Sequence, residues 1–305
     1  MHVFVTGGSG LTGPAVVSEL IAAGHTVTGL ARSEAAAARL EALGARPHLG
    51  SLEDHDRLSA GAAAADGVVH MAFGGDFADP DDLIQRDRSA IEALGEPLVD
   101  SGKPLVMTSG TFAMAAGRVS REDEAPDPES IAFFRIPGEQ ACLDLARRGV
   151  RSSVVRLAPT VHGPNDYGFI AMLIAAARRT GVSAYPGDGA NRWPAIHRLD
   201  AATLFRLTLE QAPAGTAVHG AAESAITLST IAAKIGELLD LPVASLGPDA
   251  FAGHVGSPFI ATAFATDAPA SSALTRELLG WAPTHPTLLA DIEHGDYLAA
   301  AEVSA

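Results

Sequence analysis

The chain has 305 residues, with 21 Lys and Arg against 36 Asp and Glu and a formal net charge of −15 when histidine is neutral. That acidic balance opposes nucleic-acid and anionic-membrane partners, and the single cysteine, Cys142, rules out an internal disulfide framework. The length allows one large or two modest domains. With no charged-then-apolar leader and no apolar run near the ~20 residues that span a bilayer, a cytoplasmic protein is expected.

His2 to Gly13, HVFVTGGSGLTG, reads as a buried strand (Val3, Phe4, Val5), a glycine turn, and a helix opening near Pro14, whose fixed φ and missing N–H suit a first helical turn. Gly7, Gly10 and Gly13 allow a tight turn, close approach of a pyrophosphate to the backbone, and packing of helix on strand. A dinucleotide site at the amino terminus follows. The helix continues from Ala15 to Ala23 and stops at Gly24, and Thr26 to Leu30 supplies a β-branched strand. Helices over Glu34 to Leu43, Asp54 to Ala60, Pro80 to Asp100 and Pro137 to Arg148 then alternate with strands. Those strands fall at Arg46 to Leu49, Gly67 to Ala72, Pro104 to Ser109 and Ser152 to Leu157.

This alternation predicts an α/β fold, a Rossmann-type doubly wound parallel sheet. Beyond Pro159 the rhythm loosens, with helices at Phe169 to Thr180, Ala201 to Gln211, Leu228 to Leu239 and Ser271 to Leu279. A strand is expected near Ala217 to His219, and Gly247 to Pro269 shows no clear period. The expected organisation is a dinucleotide-binding domain over 1–158, rejoined by strands near 192–220. A smaller carboxyl-terminal lobe over 159–305 would then hold a small-molecule substrate in the crevice between the two.

A fold that holds the ribose 2′-hydroxyl of NAD places an acid at the end of its second strand. Here that place reads Leu30-Ala31-Arg32-Ser33, with no carboxylate. A guanidinium can pair bidentately with a 2′-phosphate, so NADP(H) is the expected cofactor.

By this point the chain resembles the extended and atypical short-chain dehydrogenase/reductases, the NAD-dependent epimerase/dehydratase-like superfamily. The resemblance rests on TGGSGLTG at Thr6 to Gly13, GSLED at Gly50 to Asp54, DGVVHMAF at Asp66 to Phe73 and VMTSGT at Val106 to Thr111. It continues through RLAPTVHGP at Arg156 to Pro164, RWPAIHRLDAA at Arg192 to Ala202 and LLGWAP at Leu278 to Pro283. It implies that Ser9 and Leu11 join the three glycines around the pyrophosphate, that Ser33 accompanies Arg32, and that Ser51 and Leu52 lie beside the adenine. It also implies that Met71, Ala72 and Phe73 lie beneath the pyrophosphate-ribose, that Pro159 and Val161 lie near the nicotinamide, and that Ser109 and Arg135 belong to the cofactor set. A homodimer paired through helices beside the sheet is compatible with the resemblance.

The family's catalytic signature is a tyrosine with a lysine four residues later. Tyr167, Tyr185 and Tyr297 are followed at that spacing by Ala171, Gly189 and Ala301. Aligned on Glu139, the tyrosine place falls on Ile131, the lysine place on Arg135 and the usual serine place on Gly110. The tyrosine normally gives a proton to the carbonyl oxygen as hydride arrives, which isoleucine cannot do. Arginine can bind ribose hydroxyls and stabilise charge but is a poor proton shuttle.

Replacement candidates for the catalytic set are Thr111, Arg135, Tyr167 and His162, with His197 behind them. Each has a plain structural alternative in packing, capping or loop bracing. Arg192 with Trp193 reads either as an anion site or as ordinary stacking. No histidine, cysteine or acid cluster has metal-ligand spacing. With the resemblance supplying the preference for redox chemistry, the leading expectation is an NADPH-dependent reductase of a small organic carbonyl or activated alkene. A conjugate reduction would ask less of a protein acid, since solvent can protonate a stabilised carbanion. The alternatives are a non-catalytic NADP-binding sensor of NmrA-like type, or an epimerase or dehydratase.

Overall fold

The computed structural model describes residues 1–74 and 79–297. Its first half alternates β1 (His2–Thr6), α1 (Gly13–Ala22), β2 (Thr26–Ala31), α2 (Glu34–Ala42), β3 (Arg46–Leu49), α3 (His55–Ala63), β4 (Gly67–His70), α4 (Pro80–Gly95), β5 (Pro104–Gly110), α5 (Ile136–Asp144) and β6 (Arg151–Leu157). The rest contains β7 (Thr160–His162), α6 (Phe169–Thr180), β8 (Ser183–Pro186), β9 (Arg192–His197), α7 (Arg198–Gln211), β10 (Thr216–Gly220), β11 (Glu223–Thr227) and α8 (Leu228–Leu239). It ends with β12 (Val243–Leu246), α9 (Pro248–Val255), α10 (Pro258–Ala265), α11 (Ala273–Leu279) and α12 (Leu288–His294).

Seven strands form one sheet in the order β10-β6-β5-β4-β1-β2-β3, with every pairing parallel. The chain is a Rossmann-type α/β protein. A parallel sheet is covered on both faces, which explains why β1 is apolar without a break. Val3 and Val5 point to the face covered by α1, α2 and α7, with Val17, Leu20, Leu40 and Phe205. Phe4 points the other way, to Leu58, Ile91, Leu94 and Cys142 from α3, α4 and α5. Strand order reverses at β1, between β2 and β4, and the crevice at such a switch point is where this fold binds ligands.

The smaller lobe has its own core, built on Ile170, Ile174, Trp193, Ile231, Phe251 and Phe264. From the stretch near 192–220, β10 joins the large sheet beside β6. β9 instead pairs with β7 and β11 in a separate three-stranded sheet. Three expected boundaries also shift. The helix expected to run to Asp100 ends as α4 at Gly95 and passes into a 3-10 turn that contains Pro97, which supplies no N–H. The helix from Pro137 is α-helical only to Asp144 before tightening to 3-10 geometry. The aperiodic stretch 247–269 holds two eight-residue helices, α9 and α10, each opened by a proline. Residues 298–305, part of the expected lobe, lie outside the described residues. Among the described residues, no helix is long and apolar enough to cross a membrane.

Candidate active site

The carboxyl ends of β1, β2 and β4 open onto a cleft of ≈ 710 Å³. Its floor is the glycine turn, where Gly7, Ser9, Gly10, Leu11 and Gly13 all line the space. Gly7 has φ 73°, and a Cβ there would lie 2.6 Å from the Ala72 nitrogen. A Cβ on Gly13 would lie 2.1 Å from the Gly7 carbonyl oxygen, so helix α1 sits on this turn only because both residues lack side chains. Thr12, just before α1, makes no side-chain cap. The leading N–H groups of the helix are therefore left for an anion in the cleft.

At one end the lining includes Arg32, Ser33, Arg39, Ser51, Leu52 and Glu53. Arg39 projects from α2 toward the same end as Arg32, a contribution that sequence reasoning missed although the helix was expected. Ser33 caps α2 by accepting from the Ala36 N–H at 3.2 Å. Glu53 is ion-paired with Arg86, which also lines the cleft. The Ser51 hydroxyl first, and Arg86 as well, hold the Glu53 carboxyl below its ordinary range.

At the other end the cleft is bounded by Met71, Ala72, Phe73, Thr108, Leu157 and Tyr167. Tyr167 is 63% exposed and alone among the four proposed catalytic residues lines the cleft. Thr111 and Ser109 are buried, each with a hydroxyl that has no hydrogen-bond partner. Pro159 is half-buried and Val161 buried, and neither lines the cleft.

Arg135 lies behind the wall rather than in it. Its guanidinium sits over the Phe73 ring at 3.8 Å, donates to the Thr108 carbonyl, and meets Asp87 of α4 at 3.1 Å. Burial lowers its pKa, opposed by the Asp87 carboxylate. The same carboxylate lies 3.7 Å from His70 Nε2. His70 Nδ1 in turn is 2.7 Å from Thr6 Oγ1, which accepts from the Ala72 N–H at 3.2 Å. This buried chain ties the place of the missing lysine to the backbone that floors the cleft. Asp87 and His70 were not singled out from sequence; the signal was an acid among the buried positions of α4, beside Leu83, Ala90 and Ile91.

His162 is fully buried and is 2.9 Å through Nδ1 from Asp291 of α12. Its ring meets His197 edge-on at 5.3 Å, and His197 stacks on His285 at 5.0 Å. Burial first, and then His162, push His197 down to about 4. These histidines brace the junction of β7, β9 and the carboxyl-terminal segment, away from the cleft. Arg192 is held by both Asp267 oxygens at 3.0 and 2.7 Å. Trp193 is buried against Phe112 and Phe264. Among the described residues, no group of three or more metal-ligating side chains is assembled.

Residues 3–219 match the model of the NAD dependent epimerase/dehydratase family, and the chain belongs to that family. Among its relatives, an uncharacterized protein of Schizosaccharomyces pombe is 45% identical over 299 residues, covering 97% of this chain and 100% of its own length. A 4-hydroxy-2-methyl-3-oxo-4-farnesyl-3,4-dihydroquinoline-1-oxide ketoreductase of Stigmatella aurantiaca is 49% identical over 190 residues, 58% of this chain and 55% of its own. Among solved structures, the dTDP-glucose 4,6-dehydratase DesIV of Streptomyces venezuelae, with NAD bound, superposes with a TM-score of 0.79. It is 18% identical and covers 98% of this chain and 97% of its own, a likeness of fold. Family membership and the ketoreductase relative together support an NAD(P)-dependent oxidoreductase-like function.

Proposed function

We propose that the protein is an NADPH-dependent reductase of a small organic carbonyl or activated alkene. The observation that carries this reading is the pairing of Arg32 and Arg39 at the end of the cleft nearest β2, where no carboxylate stands at the strand end and Glu53 is already paired with Arg86. Two guanidiniums there suit a 2′-phosphate, while an acid would repel it.

The glycine turn and the uncapped start of α1 would take the pyrophosphate, Ser51 and Leu52 the adenine, and Met71 to Phe73 the adjoining ribose. When bound, the cofactor supplies a hydride. Tyr167 reaches the opposite end of the cleft and takes the part of proton donor through its hydroxyl. Arg135 acts through Phe73 and Thr108, holding the wall in place, with Asp87 neutralising its charge. Pro159, Val161 and Ser109 support the nicotinamide end from behind the lining.

A second reading, cofactor binding without turnover, has one observation in its favour: the residue at the lysine place is sequestered by Asp87 instead of facing the cleft. The two readings separate on NADPH oxidation, followed by absorbance with a panel of aldehydes, ketones and enones. The reductase reading expects oxidation with at least one member; saturable NADPH binding with no oxidation across the panel supports the sensor.

A further inference from the structure

Tyr167 enters the cleft from the segment 163–168, which joins β7 to α6. With its side chain 63% exposed, its position depends on the backbone that carries it. That backbone lies against the glycine turn: a Cβ at Gly168 would stand 3.5 Å from Leu11 Cδ2. It is not a conformation the chain adopts unaided, since Asn165 has φ 60°. A left-handed residue without glycine's freedom persists where its surroundings over-determine it.

Those surroundings come from a distant part of the chain. Just past α12, the Asp296 carboxylate accepts the Asn165 N–H at 2.8 Å, and the Tyr297 hydroxyl donates to Asp166 Oδ2 at 2.7 Å. Asp166 Oδ1 in turn accepts the Gly168 N–H at 2.7 Å, so the residues on both sides of Tyr167 are held. The same carboxyl-terminal stretch is anchored before and after the segment. Asp291 of α12 meets His162 at 2.9 Å, and Arg178 of α6 donates to the Tyr297 carbonyl at 2.8 Å. Tyr297 is 4% exposed, so its bond to a carboxylate is formed out of water, where such bonds are strongest.

We propose that Asp296 and Tyr297 are positioning residues: they form a strap that fixes the segment 163–168 and thereby presents Tyr167 to the cleft. The inference rests on the reading of Tyr167 as proton donor only for its effect on turnover; the strap itself is measured without a reaction.

The test begins with amide hydrogen exchange of the full chain, followed at Asn165 and Gly168 by NMR. Tyr297→Phe keeps the buried ring and touches neither amide directly, yet exchange at both should quicken about tenfold or more. Unchanged exchange at either amide would overturn the strap. With whichever of the aldehydes, ketones and enones the wild type reduces fastest, Tyr297→Phe and Asp296→Ala should each lower kcat about tenfold, with KM and NADPH affinity within twofold of wild type. Asp296→Asn keeps an acceptor oxygen for the Asn165 N–H and should restore kcat. In the Tyr167→Phe background, Tyr297→Phe should cost no further kcat, because the hydroxyl it positions is already gone. A further loss there, no rescue by Asp296→Asn, or full kcat in Tyr297→Phe despite faster exchange would overturn the positioning role. If no carbonyl oxidises NADPH, the reductase reading fails and the exchange rates alone decide the strap.

Discussion

Removing the carboxylate of Asp87 isolates a buried positive charge. Arg135 is 8% exposed, and Asp87, itself 2% exposed, supplies its ion pair at 3.1 Å. What remains to Arg135 after Asp87→Ala is the Thr108 carbonyl, the face of Phe73 and the weaker field of the Glu139 carboxylate. Breaking a buried pair by deleting one partner costs ~3–5 kcal/mol, because the other charge stays desolvated. For a chain of this length the entropy of unfolding is ~0.6 kcal/mol/K, so Tm should fall by about 5–8 °C.

The double substitution Asp87→Leu with Arg135→Met removes both charges at similar volume and should restore most of that loss, since apolar replacements of buried pairs are often neutral. Calorimetric Tm of the wild type, Asp87→Leu, Arg135→Met and the double variant gives the coupling directly. Because the same carboxylate faces His70, which is tied through Thr6 to Ala72 on the cleft floor, Asp87→Ala should also weaken NADPH binding. A Tm within 1 °C of wild type for Asp87→Ala, or a double variant whose loss equals the sum of the single losses, would refute the assignment of Asp87 as the charge partner of Arg135.

Other expectations follow from individual contacts. Gly13→Ala places a methyl 2.1 Å from the Gly7 oxygen and 2.6 Å from the Gly8 carbonyl carbon, both backbone, so α1 must shift; NADPH affinity should drop about 100-fold or more by fluorescence titration, and wild-type affinity would contradict the packing. Tyr167→Phe keeps the ring and deletes the hydroxyl; turnover should fall about 100-fold with NADPH affinity unchanged, and full turnover would reject Tyr167 as donor.

Acid should destabilise the fold through its buried histidines. His197 holds out against protonation down to about 4, whereas an unfolded histidine takes its proton near 6.5. Between those values the unfolded chain binds more protons, so this contribution of up to ~3 kcal/mol is complete above pH 6.5 and lost as pH falls toward 4. His219, lowered by burial and then by Arg156, adds in the same direction. His197→Asn can retain the cap on Leu199 while removing the titration, and its urea midpoint should vary less between pH 7 and 4.5; an unchanged pH profile would remove His197 from the account.

The parts of the molecule that could be read in advance are those whose determinants lie close together in the chain. The strand, turn and helix of His2 to Gly13 are specified by neighbours, and so are the alternating elements as far as β6, because continuous apolar strands and helical spacing are local patterns. The short strands β7, β8, β11 and β12 escaped because three to five residues of mixed polarity carry too little periodicity, whereas β9 was expected near 192 but in the wrong sheet. Arg39, which reaches the cleft from helix α2, escaped as well, whereas the lining at Gly7 to Gly13, Arg32 and Ser33, Ser51 and Leu52, and Met71 to Phe73 was legible because these residues follow strand ends. His162 was not, because its environment is set by Asp291, 129 residues away, and Arg135 was misjudged because Asp87 reaches it from a different helix. A charged residue at a familiar motif place says what the backbone does there, but its partner decides whether it faces the ligand.

The central claim is that Arg32 and Arg39 make the cleft an NADP(H) site. Equilibrium dissociation constants for NADPH and NADH, measured on the wild type and on Arg32→Ala, test it most directly. A charge-assisted pair of this kind is worth ~1.5–3 kcal/mol, so the account predicts a preference for NADPH of about tenfold or more, reduced to a few-fold by Arg32→Ala with NADH affinity unchanged. Equal or tighter binding of NADH by the wild type, or an NADPH affinity indifferent to Arg32→Ala, would contradict it.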